Sequence, residues 1–157
     1  MAEVAEKKFT VIVAIDGSEQ ADHAFEFYIE HMHKSDHNLL LVHSAEPPFV
    51  SSQQAMYMSG ELWEQMLAAE KDKVKKLEEK FANKMRANKI SGRIKAVFSG
   101  RPGELIIDLA KEEGARMIVM GTRGMGTIRR TLLGSVSDYV LHHAHCPVII
   151  CRPEDKH

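Results

Sequence analysis

The chain has 157 residues, a length typical of one domain that buries roughly 68–70% of the surface of its unfolded chain. Its net charge of −1 argues against a nucleic-acid-binding domain, because such domains carry an excess of Lys and Arg. No apolar run approaches the roughly 20 residues of a membrane-spanning helix. The N-terminal segment MAEVAEKKF lacks the basic and apolar regions of a secretory leader, so we predict no targeting peptide.

The chain contains only two cysteines, Cys146 and Cys151, which are too few for a disulfide scaffold. Free thiols favour a reducing, cytoplasmic compartment. The two residues are five positions apart beside a predicted strand, so we expect their side chains on opposite faces of a sheet and no bridge between them.

The first half of the chain alternates apolar strands with helices. The run FTVIVAI (9–15) predicts a buried strand that ends at Asp16-Gly17-Ser18. Ser18 is a typical N-cap residue, so a helix can begin there. NLLLVHS (38–44) predicts a second strand. We expect the polar, proline-broken segment 45–60 to be the longest irregular loop. A long helix follows over 61–88, whose mixed charges indicate a solvated face.

The second half continues the alternation, with a predicted strand at 92–100, a helix at 101–114, a strand at 115–121, a helix at 135–144 and a strand at 147–152. The strands are continuous apolar runs, which is typical of a parallel sheet covered on both faces. The sequence therefore predicts an α/β fold over one domain, residues 1–157, with a core at about 9–153. In such doubly wound sheets a ligand binds beyond the carboxyl ends of the strands, where the strand order reverses.

A glycine-rich connection joins the strand ending at Gly121 to the helix beginning at Gly134-Ser135. Backbone N–H groups in such a connection approach phosphate closely, and the helix dipole favours the negative charge. The segment lacks the Lys of the G-x-x-x-x-G-K-[ST] loop, and no G-x-G-x-x-G fingerprint follows the first strand. On the residues alone, a phosphate site and a merely flexible connection remain open.

The spacing G-x-x-G-x9-G-[ST], from Gly121 to Ser135, resembles the nucleotide-binding signature of the universal stress proteins, in their ATP-binding branch. The segments VAIDGS, LLLVHS, GRPGELIIDLA and CPVIIC resemble further parts of that family in the same order. The resemblance covers roughly residues 9–153. It implies an open five-stranded parallel sheet of order 3-2-1-4-5 with helices on both faces, a Rossmann-like fold.

The resemblance also implies the site residues and the ligand. Asp16 would face the nucleoside, the backbone of Ser44 would lie against adenine, and Arg123 has a phosphate contact as its candidate role. The ligand would be ATP, AMP or ADP, with Mg²⁺ or Mn²⁺ held through the phosphates. The complete set of positions is Ala14, Asp16, Ser44, Met120, Gly121, Arg123, Gly124, Gly134, Ser135, Val136 and Ser137.

Several of these residue types have an alternative role. Asp16 precedes Gly-Ser and would serve equally well in a turn or a helix cap. Arg129 and Arg130 suit either phosphate or surface ion pairs. In the segment HHAHC (142–146), His142, His145 and Cys146 have helical spacing and side chains that can ligate a metal. A helix C-terminus also favours His through its dipole, and we predict no metal site. We interpret His43 as a hydrogen-bonded core residue.

The sequence favours a binding protein over an enzyme. Asp16 is the only ionisable side chain placed by the motif, and the S-G-G-x-D-S and H-I-G-H segments of adenylating enzymes are absent. We therefore predict an ATP-dependent stress-response switch with slow or no hydrolysis. The alternatives are an ATP-dependent enzyme with its substrate at the 45–60 loop, and a nucleotide-free dimeric scaffold.

Two features predict contacts beyond the nucleotide. The last strand, Pro147 to Arg152, is apolar on both faces and would lie at a sheet edge, so we expect it to pair with its copy in a homodimer. We expect Trp63 and Met56, Met58 and Met66 to pack the long loop and helix against the domain or a second subunit.

Overall fold

A computed structural model describes residues 8–122 and 133–153 of the chain. Five strands form one parallel sheet in the order β3-β2-β1-β4-β5, which confirms the predicted fold class and strand order. The strands are β1 (Phe9–Ala14), β2 (His37–Ala45), β3 (Gly92–Phe98), β4 (Met117–Gly121) and β5 (Val148–Cys151).

Helices cover both faces of the sheet. Those that lie within the described ranges are α1 (Glu19–His31), α2 (Ser52–Tyr57), α3 (Gly60–Ala87), α4 (Pro102–Glu112) and α5 (Ser135–His143). Helices α1 and α3 pack against one face through Phe25, Tyr28 and Phe81, and α4 and α5 cover the other through Ile106 and Val140. None of the helices in the described part of the chain is long and apolar enough to cross a membrane.

The core is built outward from β1. Val11 and Val13 face the cluster under α1 and α3, whereas Ile12 between them faces the cluster under α4 and α5. All three are completely buried. Alternate side chains of a strand point to opposite faces, so a strand buried on both faces needs an uninterrupted apolar run. This requirement explains why FTVIVA contains no charged residue.

The prediction of an irregular loop over the whole of 45–60 is wrong, because α2 lies within it. The hydroxyl of Ser51 accepts from the backbone N–H of Gln54, whose side chain accepts from the N–H of Ser51 in return. Such a capping box satisfies two donors that a short helix otherwise leaves open. Met56 and Trp63 are exposed, so packing against the domain does not hold for them.

The two cysteines are free. Cys151 belongs to the apolar cluster under α1 and α3, while Cys146 packs against the cluster under α4 and α5. Their placement on opposite faces of the sheet confirms the sequence-based expectation. Burial raises the pKa of both thiols, which keeps them protonated and unreactive at neutral pH.

A cluster of Tyr28, His33 and His37 lies at the amino-terminal edge of the sheet. The hydroxyl of Tyr28 is 2.9 Å from Nδ1 of His33 and 2.8 Å from Nδ1 of His37. A hydroxyl has one proton, so it donates to one imidazole and accepts from the other. The ring of Phe9 stacks on His37, and the guanidinium of Arg116 lies over the Phe9 ring, 5.0 Å from its centre.

Burial lowers the pKa of both imidazoles in this cluster. For His37 the carboxylate of Asp36 opposes part of that shift, and His33 and Lys34 add to it. Burial, together with Asp36, raises the pKa of the Tyr28 hydroxyl. The folded chain therefore favours neutral imidazoles around a protonated phenol, an arrangement that completes both hydrogen bonds.

We predict that acid destabilises the fold through this cluster. Because the folded pKa of each imidazole lies below the ordinary value of 6.5, the stabilisation is complete above that value and is lost as the pH falls through the folded pKa. Urea unfolding above and well below that pH measures the loss. A His33→Gln/His37→Gln variant should show a flatter pH dependence, whereas His31→Gln, at an exposed position, should keep that of the wild type.

Tyr28→Phe tests the hydrogen bonds separately. Removing a buried hydroxyl that serves two imidazoles should lower the free energy of unfolding by about 1–3 kcal/mol near neutral pH. Chemical denaturation of the wild type and the variant at one pH gives this difference. A variant as stable as the wild type would show that the two contacts contribute nothing.

Candidate functional site

A cleft opens at the carboxyl ends of β1 and β4, the neighbouring strands from which the chain leaves toward opposite faces of the sheet. This is the switch point at which doubly wound sheets bind ligands. The cleft contains roughly 530 Å³ of empty space, which includes space open to solvent. It is lined by Ala14, Ile15, Asp16, Ser18, Gln20, Ala21, Val42, Ser44, Pro102, Ile106, Met120, Gly121, Thr122, Val136 and Ser137.

The structure brings together most of the residues that the sequence singled out. Those that line the cleft are Ala14, Asp16, Ser44, Met120, Gly121, Val136 and Ser137. Gly134 and Ser135 directly precede Val136, as the N-cap and first residue of α5. Arg123, Gly124, Arg129 and Arg130 lie outside the described residues.

Sequence reasoning missed the walls of the cleft. Val42 lies two residues before Ser44 on the same face of β2, so the period of a strand already places it beside that residue. Pro102 and Ile106 reach the cleft because α4 packs closely on α5, where the α-carbon of Gly103 lies against the ring of Tyr139. Nothing in the spacing of the glycine motif indicates this contribution of α4.

Asp16 adopts the turn geometry that its sequence neighbours suggest. Its Oδ1 accepts from the backbone N–H of Ser18 at 2.9 Å and from the hydroxyl of Ser18 at 2.5 Å. The hydroxyl of Ser18 in turn accepts from the N–H of Ala21, so it caps α1. Gly17 between them has a φ of +80°, which favours glycine. The carboxylate is exposed at the cleft, so the turn leaves it accessible to a ligand.

Three helices begin at the cleft, but their caps differ. Ser18 caps α1, whereas α4 and α5 have no hydrogen bond from an N-cap side chain. The Ser137 hydroxyl, buried in the first turn of α5, donates to the carbonyl of Gly134 at 3.0 Å. A helix N-terminus with uncapped N–H groups carries partial positive charge and attracts anions. The cleft thus combines an anion-binding end with a carboxylate that accepts hydrogen bonds.

The end of β2 forms the floor of the cleft. Ser44 lies within β2, not after it, and its hydroxyl donates to the carbonyl of Ser99 at 3.1 Å, which ties β2 to the segment after β3. Nδ1 of His43 is 2.9 Å from the carbonyl of Ile15 and donates to it. His43 is therefore a hydrogen-bonded structural residue, as the sequence indicated.

The histidines around 142–146 have separate partners. Nε2 of His142 is 3.4 Å from a carboxylate oxygen of Asp138, and Nε2 of His145 donates to the carbonyl of Ala115 at 3.1 Å. Within residues 8–122 and 133–153 no group of three or more His, Cys, Asp or Glu side chains has the arrangement of a metal site.

Taken together, the parallel sheet and the cleft at its switch point define a doubly wound α/β protein with an open cleft at the carboxyl edge of the sheet. The model of the universal stress protein family matches residues 9–152, and the chain belongs to this family. A universal stress protein of Thermus aquaticus is 32% identical over 143 residues, which are 91% of this chain and 98% of that protein.

Solved structures show the same fold. A universal stress protein of Arabidopsis thaliana with AMP bound has a TM-score of 0.67 and 22% identity, covering 93% of this chain and 92% of its own. A universal stress protein of Archaeoglobus fulgidus in complex with dAMP has a TM-score of 0.60 and 23% identity, covering 90% of this chain and 96% of its own.

Gly121 has a structural reason to be glycine in addition to its place in the motif. A β-carbon at this position would lie 2.5 Å from the backbone carbonyl oxygen of Gln20 and 2.8 Å from its carbonyl carbon. Because this clash is with the backbone of the first turn of α1, a change of side-chain rotamer cannot relieve it. The missing side chain lets β4 approach α1 closely beside the cleft.

We predict that Gly121→Ala destabilises the fold by about 1–3 kcal/mol, because α1 or β4 must shift to admit the methyl group. Gly100→Ala is the matched control, since a β-carbon there meets nothing within 4 Å. Chemical denaturation of both variants checks the difference. Equal stability would contradict the close approach.

Proposed function

We propose that the cleft binds an adenine nucleotide, with ATP as its cellular ligand, and that the protein works as a nucleotide-dependent switch within one domain. The observation that carries the proposal is that the first turn of α5, which has no hydrogen bond from its N-cap side chain, lines the same cleft as Asp16. The AMP and dAMP complexes of the Arabidopsis and Archaeoglobus relatives support it.

The proposed roles follow the chemistry of each wall. Asp16 accepts hydrogen bonds from the nucleoside, since carboxylate oxygens are strong acceptors. Ala14, Val42 and Ser44 form the floor for the base, whose flat apolar faces suit small side chains. The phosphates lie at the first turn of α5, from Gly134 to Ser137, and along Gly121. The motif residues Arg123 and Gly124 complete the proposed phosphate site, and Mg²⁺ or Mn²⁺ is held by the phosphates.

A binding role fits the cleft better than fast catalysis. Among the lining residues in the described part of the chain, Asp16 is the only one with an ionisable side chain. A hydrolytic enzyme needs a base held beside a partner that orients it. The hydrogen bonds to Oδ1 of Asp16 come from the backbone N–H and the hydroxyl of Ser18, in the turn that begins α1. We infer that ATP shifts a conformational equilibrium that other molecules detect.

We also propose a homodimer formed through the last strand. β5 pairs with β4 alone within the described sheet, so its other edge has the unpaired N–H and C=O groups that attract a second strand. A two-fold axis beside the Pro147 to Arg152 segment would relate the two copies and join their sheets.

We also propose that the protein is located in the cytoplasm, because its two cysteines are free thiols.

Titration of the purified protein with ATP and AMP tests the nucleotide site. Asp16→Asn should weaken binding about tenfold or more, because it removes a charged acceptor that forms hydrogen bonds worth about 1.5–3 kcal/mol. Asp138→Asn is the matched control, because Asp138 lies in the first turn of α5 but does not line the cleft. Wild-type indifference to both nucleotides would refute the proposal.

Stability and turnover separate the remaining alternatives. If Asp16 serves only the turn, Asp16→Asn will change the free energy of unfolding and leave nucleotide affinity unchanged. With excess ATP, we expect phosphate release far below the usual enzymatic range of roughly 1–10³ s⁻¹. Turnover within that range would identify an ATP-dependent enzyme instead of a switch.

Sedimentation of the full chain tests the strand-edge dimer. We expect no monomer at micromolar concentrations, because pairing of β5 with its copy satisfies backbone groups that otherwise need water. A monomeric profile that persists with and without ATP would exclude this interface.

A further inference from the structure

Helix α3 is much longer than the sheet it covers. Its 28 residues span about 42 Å, but its buried residues, Phe81 and Met85, lie in its C-terminal third. Leu77 marks the carboxyl edge of the sheet, since its Cδ1 is 3.8 Å from the β-carbon position of Gly17 in the turn after β1. Residues 60–76 therefore continue for about 25 Å past that edge. We call this segment the arm.

The arm and the connection before it expose large apolar side chains. Helix α2 has no buried residue at all. In this stretch the exposed fractions are 89% for Phe49, 79% for Met56, 89% for Tyr57, 46% for Leu62 and 40% for Trp63. Most of the exposed large hydrophobic residues in the described part of the chain are in this one segment. Such a concentration is typical of an interaction surface.

A stripe of α3 that is apolar except for Glu70 continues into the arm with the spacing of a coiled coil. Alternating steps of four and three residues lead from Trp63 through Leu67, Glu70, Val74 and Leu77 to Phe81. Leu77 and Phe81 pack against the core of their own chain. Trp63 is exposed, and Leu67, Glu70 and Val74 keep part of their surface exposed, so the stripe within the arm can contact a partner.

Charge divides the same region into two complementary halves. Between Ala45 and Glu70 the sequence has four glutamates and no lysine or arginine. Between Lys71 and Lys89 it has eight lysines and arginines and three acidic residues. Two such helices lying antiparallel would place the acidic half of each against the basic half of the other. A helix that complements itself in this way fits a second copy of the same chain.

We propose that the arm is a second self-association surface, in which two copies pair antiparallel around a two-fold axis near Ala68 and Ala69. This axis sets Trp63 of one copy against Val74 of the other, and Leu67 against Glu70. Each stripe residue of the arm then meets a stripe residue of the partner's arm, and the pairs repeat by symmetry, as an isologous interface requires. The proposal is independent of the nucleotide site.

Flanking charges fix the register of this pairing. In an antiparallel pair, Glu64 and Lys71 occupy positions beside the stripe on the same side, so each faces the other residue in the partner copy. Both side chains are exposed in the single chain. They are seven residues apart, too far for an ion pair with each other within one helix. Two identical ion pairs, one on each side of the axis, would therefore form only in the assembly.

The experiment uses three variants of the full chain: Glu64→Lys, Lys71→Glu and the double swap Glu64→Lys/Lys71→Glu. Each single variant places like charges together twice across the axis, so arm association should weaken about tenfold or more. The double swap restores both attractions and should associate like the wild type. An equimolar mixture of the two single variants should also associate, as a mixed pair.

Sedimentation equilibrium at low salt gives the assembled mass in each case. If β5 also pairs, each chain has two interfaces, so the wild type should reach at least four copies and each single variant two. Without β5 pairing the numbers are two and one. Added salt should weaken the wild type, since the complementary charges are exposed. Circular dichroism of the variants should match the wild type, because none of the substituted residues is buried.

Three outcomes would overturn the proposal. Equal masses for the wild type and both single variants would show that the arm does not bind its copy. A double swap that stays dissociated would exclude the antiparallel register. Failure of the mixed single variants to associate would exclude it as well. These masses do not depend on whether the chain binds ATP, so the arm proposal and the nucleotide proposal can each be refuted without the other.

Discussion

Strand β1 is hydrogen-bonded along both edges and covered on both faces, and the other elements are arranged by that double constraint. Val11, Ile12 and Val13 in the middle of the strand are completely buried and apolar. The first polar groups beyond it, Asp16 and Ser18, therefore lie where the helices diverge to opposite faces. Burial of β1 on both faces therefore requires helices on both sides of the sheet, and the cleft lies where these helices diverge.

The cleft depends on tight contacts behind its walls. α1 approaches the end of β4 closely because Gly121 has no β-carbon, and α4 approaches α5 because Gly103 has none. These contacts bring the first turns of three helices to one place, two of them without an N-cap side chain. The helix N-termini give the cleft partial positive charge. Its described lining contains no lysine, whereas a P-loop uses a lysine to contact phosphate.

The sequence predicted what depends on local pattern. Continuous apolar runs identified the strands of the parallel sheet, and the glycine spacing located the start of α5 beside the cleft. The contributions of Pro102 and Ile106 were not predictable, because they arise from packing of α4 against α5 across distant parts of the chain. The short helix α2 was missed because Pro47 and Pro48 suggested a loop, while the capping box of Ser51 and Gln54 acts over one turn.

The Tyr28 cluster and the cleft lie at opposite ends of the sheet, separated by the length of β1, about 20 Å. They share no residue, but they act on the same unfolding equilibrium. A molecule that binds only the folded chain stabilises it by mass action, in proportion to the logarithm of its concentration. Occupancy of the cleft would thus offset acid stress at the far edge of the sheet, and the chain would withstand lower pH when its ligand is abundant.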